Sequence, residues 1–481
     1  MNSKTLLLGE EKLTRLLPRM AIPTIAAQLI NIVYNIVDRI YIGQLVNATA
    51  LTAVGITLPL IILVTACALL VAGGGAPNAA ICMGKKCDDE ASRIIGNCIT
   101  AIVIMAGIVT ALLLIFNERL LYLIGATEDT IEYAKEYMTI YASGSVFVML
   151  TVGLSYFITA QGNSLQSMIV VLAGAVTNVV LDPIFINVFG LGVGGAAFAT
   201  VLSQALSTVL ALVFLFSRRT SLKLKLNDFI PRAKVVFPAM ALGLSPFVMQ
   251  ATEAMIFLCF NIQLKRFGGS VALGTMTILS AVMLLNSLPI AGLVQGAQPI
   301  LSYNFGARNN DRVKKAFLMV FALSVGYSFL LWLAVMLFPN FFSSLFINPS
   351  DPLAEQIHTL CSTALRIYMG ASILLGAQSA CQQTFVSIGR IKISVCLAVL
   401  RKIILLLPLV FLLPLLFNES AEMQTLAVFW AEPVADIVAV FTTLTVFALT
   451  FNKILRNNTL TDNAVKETEL LTEVDEIKKS Q

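Results

Sequence analysis

The stretch NIVYNIVDRIYIG, residues 31–43, sets Asp38 and Arg39 in a row of isoleucines and valines. A second acid, Asp182, stands in LDPIFI directly before Pro183 and four residues after Asn178. An Asp at the centre of a membrane-spanning helix costs about 2.5–3.5 kcal/mol on insertion scales, so each is a functional candidate. On a helix Gln28, Asn31, Asn35 and Asp38 recur every three or four residues and share one face, with Tyr34 beside the stripe. Asn178 and Asp182 share a face in the same way. Pro183 removes one amide donor and disturbs the preceding turn, which frees carbonyls near the acid. Thr200, in the next apolar stretch, can add a hydroxyl. Two carboxylates, an amide and a hydroxyl are all oxygen donors that suit a hard monovalent cation such as Na+. Two desolvated carboxylates close together are equally suited to hold H+. The residues leave the choice of ion open, and the competing reading makes both acids structural, hydrogen-bonded to neighbouring helices. Arg39 cannot face Asp38, because adjacent helix positions diverge, and is expected to reach the outer interface instead.

Further acids interrupt later apolar stretches. Glu253 has Gln250 one turn before it, and both can face a cationic cargo or a second ion; structural pairing is the alternative. Glu432, in WAEPVAD, also precedes a proline and reads as structural, with Asp436 one turn later. Arg401 and Lys402 are available partners for Glu432 or Glu253.

The elements that must position these groups are membrane spans. Only 12% of the 481 residues are charged and 58% are hydrophobic, with a mean hydropathy of +0.87. The fold class is all-α, a polytopic membrane protein with twelve transmembrane helices, at about 20 apolar residues per crossing. The predicted spans are 19–43, 51–82, 94–116, 136–160, 167–189, 195–217, 236–264, 271–302, 316–338, 361–386, 393–416 and 425–451. The second and eighth are long enough to tilt or project. Most of the 32 Lys and Arg fall in loops on the N-terminal side of this arrangement, which predicts cytoplasmic termini in a plasma or inner membrane. The polar tail after about Phe451 is expected to be poorly ordered.

The chain repeats itself. One shift superposes Gly74 on Gly296, Pro77 on Pro299 and Gly84 on Gly306; Gly162 falls on Gly389 with a slightly larger one. Six crossings per half make the repeats parallel. The expected organisation is an N-lobe over 1–217, a cytoplasmic linker over 218–234, a C-lobe over 235–452 and a cytoplasmic tail over 453–481.

Several classes are excluded. The net charge of +5 is dispersed between apolar runs, so nucleic acid is not an expected partner. GLGVGG, 190–195, lies between two spans without a strand before it, so dinucleotide binding does not follow. There is no GxxxxGK[ST], HExxH or G-x-S-x-G, hence no ATP-driven step and no recognisable enzyme centre. The eight cysteines form no CxxC, and no cofactor is expected beyond a coupling ion.

Four stretches at their positions carry a resemblance: IPTIAAQLINIVYNIVDRIYIGQL in the first span, LDPIFI in the fifth, GAQPILSYNFGAR after the eighth and AEPVAD in the twelfth. Together they make the chain similar to the multidrug and toxic compound extrusion (MATE) family, near its DinF-like and MepA-like branch, over nearly its full length. The resemblance implies two six-helix lobes around a central cavity, and efflux of small organic compounds, often cationic, in exchange for H+ or Na+. It assigns Asp38, Asn178, Asp182 and Thr200 to an ion-coupling site and Tyr34 to the cavity beside it. Gln28, Asn31, Tyr34, Gln250 and Glu253 are the expected cargo-binding residues. Another branch completes a second ion site with an acid in the tenth span, and RIYMGASILLGAQSACQQTFVSIG has none. A monomer in the lipid bilayer is expected. A lipid-linked flippase of the same superfamily and a non-transporting membrane receptor are the alternatives.

Overall fold

The computed structural model describes residues 8–346, 354–417 and 420–479. Every regular element among them is helical. The first half contains α1 (Leu13–Leu45), α2 (Ala48–Gly84), α3 (Asp88–Ile124), α4 (Ile131–Ser143), α5 (Ser145–Ala160), α6 (Ser164–Pro183) and α7 (Gly192–Leu215). The second contains α8 (Ala233–Gly306), α9 (Asn310–Leu337), α10 (Ala354–Tyr368), α11 (Leu375–Ser387), α12 (Ile391–Val399), α13 (Leu407–Leu416) and α14 (Ala421–Lys479). Nine helices among the described residues are long and apolar enough to cross a bilayer, and two bent pairs, α4 with α5 and the Ala354–Tyr368/Ser372–Ser387 pair, bring the number to 11. The 74 residues of α8 provide two crossings, because its helix breaks at Gly269. There φ is 59° and ψ −148°, a conformation that only glycine adopts without strain. Twelve traverses result, as expected. Large apolar side chains lie fully outward along them, Leu123 at 79% and Leu449 at 74% exposure, as a lipid-facing surface requires.

Boundaries differ where sequence signals are weak. The loop expected between the seventh and eighth spans is one glycine rather than six residues. The last helix does not stop near Phe451; its backbone continues to Lys479, through a stretch without a single Gly or Pro after Pro433. GLGVGG proves to be a turn leading into α7, with Gly190 and Gly192 at positive φ.

Both described ends of the transmembrane bundle lie on one face. The carbonyl of Leu8 accepts from Asn304 Nδ2 at 3.0 Å, and Asn458 Nδ2 donates to the Phe305 carbonyl at 3.0 Å. The linker closes over this terminus face. Asn97 in α3 donates to the Asp228 carbonyl at 2.8 Å and accepts from the Arg232 amide at 2.6 Å, while Thr100 donates to the Phe229 carbonyl at 2.7 Å.

The duplicated glycines form the seam between the halves. A Cβ on Gly84 would sit 2.0 Å from the Tyr303 carbonyl oxygen, and one on Gly306 would sit 2.0 Å from that of Ile81. The contacts are reciprocal, α2 against the end of α8 and the reverse. Gly74 meets Ala239 and Gly243 of α8 backbone to backbone, and its repeat mate Gly296 meets Ala21 of α1. Thr24 Oγ1 donates to the Gly292 carbonyl at 2.6 Å. Gln28 Nε2 donates to Gln295 Oε1 at 3.0 Å, and Gln250 Nε2 to Thr65 Oγ1 at 2.7 Å, both near the middle of their spans. Between there and the far face no hydrogen bond joins the halves among the described residues. The hydrophobic cores follow the same division. One core runs through the first half and the terminus-side parts of the second, including Ile300 and Phe385. The far-side part of the second half, around Phe260, Leu279 and Phe429, has a core of its own. The two halves therefore touch on the terminus side and part toward the far face.

Candidate functional site

In α1, Asp38 lies on the far-face side of the Gln28 bridge and turns inward, 7% exposed. In α6, Asn178 and Asp182 are 1% and 0% exposed, and Thr200 of α7 is 9% exposed. Pro183 ends α6, and the helix continues as a π-helical segment, Ile184–Val188, the local widening expected from a missing amide donor. The four residues meet. Asn178 Nδ2 donates to Asp182 Oδ1 at 3.1 Å and reaches Thr200 Oγ1 at 3.4 Å. The carboxyls of Asp38 and Asp182 lie close enough to act on one another.

Three buried oxygens of this cluster have no hydrogen-bond partner in the protein: Asp38 Oδ1, Asn178 Oδ1 and Asp182 Oδ2. No lysine or arginine among the described residues forms an ion pair with either acid. Arg39 is exposed, as its divergence from Asp38 required. Two ionised carboxylates carry only acceptors, so facing oxygens in a dry pocket repel unless a proton or cation lies between them. The donor set is oxygen throughout, and no cluster of three His, Cys, Asp or Glu that would suit a transition metal exists among the described residues.

Two tyrosines complete the pocket. Tyr137 and Tyr141 of α4 are each 3% exposed and stack with ring centroids 6.1 Å apart. Tyr137 lies near Thr200 and Asp38, while Tyr141 lies near Tyr34. Sequence reasoning passed over both; their i, i+4 spacing in EYMTIYAS was the available signal.

Of the expected cargo residues, Gln28 and Gln250 are engaged in the bridges that close the halves. Asn31 accepts through its carbonyl from Asn35 Nδ2 at 2.5 Å, and Asn35 is exposed. Glu253 sits one turn past Gln250, where the halves part, with its side chain 61% exposed. Lys402 Nζ, only 6% exposed, donates to Glu253 Oε2 at 2.7 Å. Arg401 Nε donates to Asp436 Oδ1 at 2.7 Å, and its Nη2 lies 3.7 Å from Glu432 Oε1. Arg401 and Lys402 belong to a π-helical segment, Leu400–Leu406, in the fifth span of the second half. The two halves thus place acids without ion-paired cations on one side of the cleft and a cluster of three acids with two cations on the other.

The MatE family model matches residues 23–184 and again 246–412. The multidrug export protein MepA of Staphylococcus haemolyticus (strain JCSC1435) is 24% identical over 432 residues, covering 90% of this chain and 93% of that protein. MepA of Staphylococcus aureus (strain MSSA476) is 24% identical over 409 residues, 85% of this chain and 89% of the relative. Among solved structures, the MATE multidrug transporter DinF-BH, solved as a complex, superposes with a TM-score of 0.83 at 28% identity, covering 92% of this chain and 96% of that one. A MATE protein in its bent conformation gives 0.84 at 21% identity, covering 94% and 99%, a likeness of fold alone. With the model matched over more than half of its length and in both of its repeats, the chain belongs to the MatE family.

Proposed function

We propose that this multi-pass membrane transporter exports small organic molecules, often cationic, in exchange for H+ or Na+ bound at Asp38, Asn178, Asp182 and Thr200. It is a multidrug efflux transporter and not an enzyme. The observation that carries the ion site is the set of three buried, unpartnered oxygens around two neighbouring carboxyls that form no ion pair with a lysine or arginine among the described residues. Its two halves act as lobes, 1–217 and 235–452, joined by the linker 218–234. Cargo enters the cleft where the lobes part, between Asn31 and Tyr34 on one side and Glu253 on the other, with the Gln28 and Gln250 bridges as its floor. The terminus face is cytoplasmic in a plasma or inner membrane, so the structure corresponds to a cleft open to the outside. The protein works as a monomer.

Binding of the ion draws Asp38 and Asp182 together and so couples α1 to α6. Exchange follows only if ion and cargo favour different arrangements or compete, because a ligand that binds two states equally shifts neither. Efflux of a fluorescent cation from vesicles under an imposed proton or sodium gradient tests the reading and names the ion. Asp38→Asn should bind the dye yet lose gradient-driven efflux; full efflux by that variant would refute the coupling role. Dye binding without gradient-dependent flux in the parent chain would favour a receptor instead.

A further inference from the structure

The cluster on the second half contains three carboxylates, Glu253, Glu432 and Asp436, and two cations, Arg401 and Lys402. Asp436 has a close partner in Arg401, and Glu253 has one in Lys402. Glu432 has neither. It is 5% exposed, accepts no hydrogen bond among the described residues, and its nearest ion-pair contact is the 3.7 Å approach of Arg401. It nevertheless lies close enough to Lys402 for that charge to act on it. Lys402 is therefore bonded to the acid that opens on the cleft, and it follows Arg401, the residue that approaches the acid sealed behind it, in the same π-helical segment.

Resting on the cargo class proposed above, we propose that Lys402 is a tethered cation that occupies Glu253 until an organic cation displaces it, whereupon its ammonium re-pairs with Glu432. With all three acids ionised the cluster is short of one positive charge, and a monovalent cargo completes it. Direct removal of Lys402 from Glu253 would strand a buried ammonium, which is strongly unfavourable. Transfer to Glu432 avoids that, because the second acid already waits without a close partner. Glu253 suits the exchange from its side: its carboxylate is the only one of the three that cargo can reach, and Oε1 remains free of Lys402. The pair discriminates among ligands. A neutral molecule gains nothing at Glu253, while a cation must outcompete a lysine held at high local concentration.

The pair also differs in kind from the acids of the first half. Asp38 and Asp182 have no internal cation and depend on one from solution, whereas the second half carries its own. Cargo recognition by charge is thereby separated from ion coupling, in opposite walls of one cleft.

Equilibrium binding of tetraphenylphosphonium to the purified full chain, at one fixed pH and without a gradient, tests this. Lys402→Met should tighten binding about tenfold or more, since the competitor is gone. Glu253→Gln should weaken it, and Glu253→Gln/Lys402→Met should match Glu253→Gln alone. An equal gain from Lys402→Met in the Glu253→Gln background would overturn the proposal, because a general change of field would then account for the effect. Glu432→Gln should weaken binding when Lys402 is present and have little effect in Lys402→Met. If Lys402→Met fails to fold, Glu432→Gln alone decides: unchanged affinity in that variant sinks the exchange. These outcomes are independent of vesicle flux, so gradient-driven antiport can stand while the exchange falls. Absence of any binding to the parent chain would remove the cargo class and this inference together.

Discussion

One methyl group at Gly306 should push the two halves apart on the side where they now meet. A Cβ there would lie 2.0 Å from the Ile81 carbonyl oxygen, with the Ile81 carbonyl carbon at 2.8 Å. A carbon and a carbonyl oxygen rest about 3.3 Å apart or more, so α2 and the end of α8 must separate by about 1.3 Å. The obstructing atoms are backbone and cannot rotate away as a side chain would. Overpacking of this kind costs about 1–3 kcal/mol, and the penalty falls only on the arrangement in which these helices touch. At about 1.4 kcal/mol per factor of ten, Gly306→Ala should shift the population about 5- to 150-fold toward the arrangement open on the terminus face. Pulsed electron resonance between spin labels reads this, in a background with the accessible native cysteines replaced. Labels at Lys85 and Arg390 on the terminus face should move apart, and labels at Glu128 and Asn340 should approach. Gly107→Ala and Gly326→Ala, where the added carbon meets nothing within 4 Å, are the controls and should move neither pair. If Gly306→Ala folds and leaves both distance distributions as in the parent, the seam does not govern which side is closed.

Two further substitutions probe the supports of the site. Asn97→Ala removes the donor and acceptor that hold the Asp228 carbonyl and the Arg232 amide. It should lower stability by about 1–3 kcal/mol and expose 218–232 to limited proteolysis, whereas Lys225→Ala, which breaks only the exposed 2.9 Å pair with Asp89, should do neither. Arg401→Met strands the 2%-exposed Asp436 carboxylate and should destabilise by about 3–5 kcal/mol, with partial recovery when Asp436→Leu is added, as a thermal unfolding series would record.

The acids of the first half were legible because their cost in lipid is high and their neighbours are periodic. Asp38 follows a stripe of amides, and Asp182 carries its proline, which duly widens the helix into a π-turn. The repeat exposed the special glycines before any contact was known, yet not that Gly84 and Gly306 each meet the backbone beside the other, since periodicity says nothing of partners across the fold. Tyr137 and Tyr141 were missed because aromatic residues in an apolar span look like ordinary core. Arg401 and Lys402 were recognisable as partners for the acids, but the choice was not: adjacent side chains on a helix diverge, and only the geometry of 400–406 sends one to Asp436 and the other to Glu253.

At Gly84 and Gly306 the joint between the halves is made of peptide groups meeting bare α-carbons, so at these two points there are no interlocking teeth to disengage. Parting it forfeits close dispersion contacts but requires few rotamers to be re-sorted, and closure finds the same fit again. Such a latch can cycle quickly at small cost in friction. It also leaves the side chains that line the opening beyond the Gln28 and Gln250 bridges outside the mechanical fit.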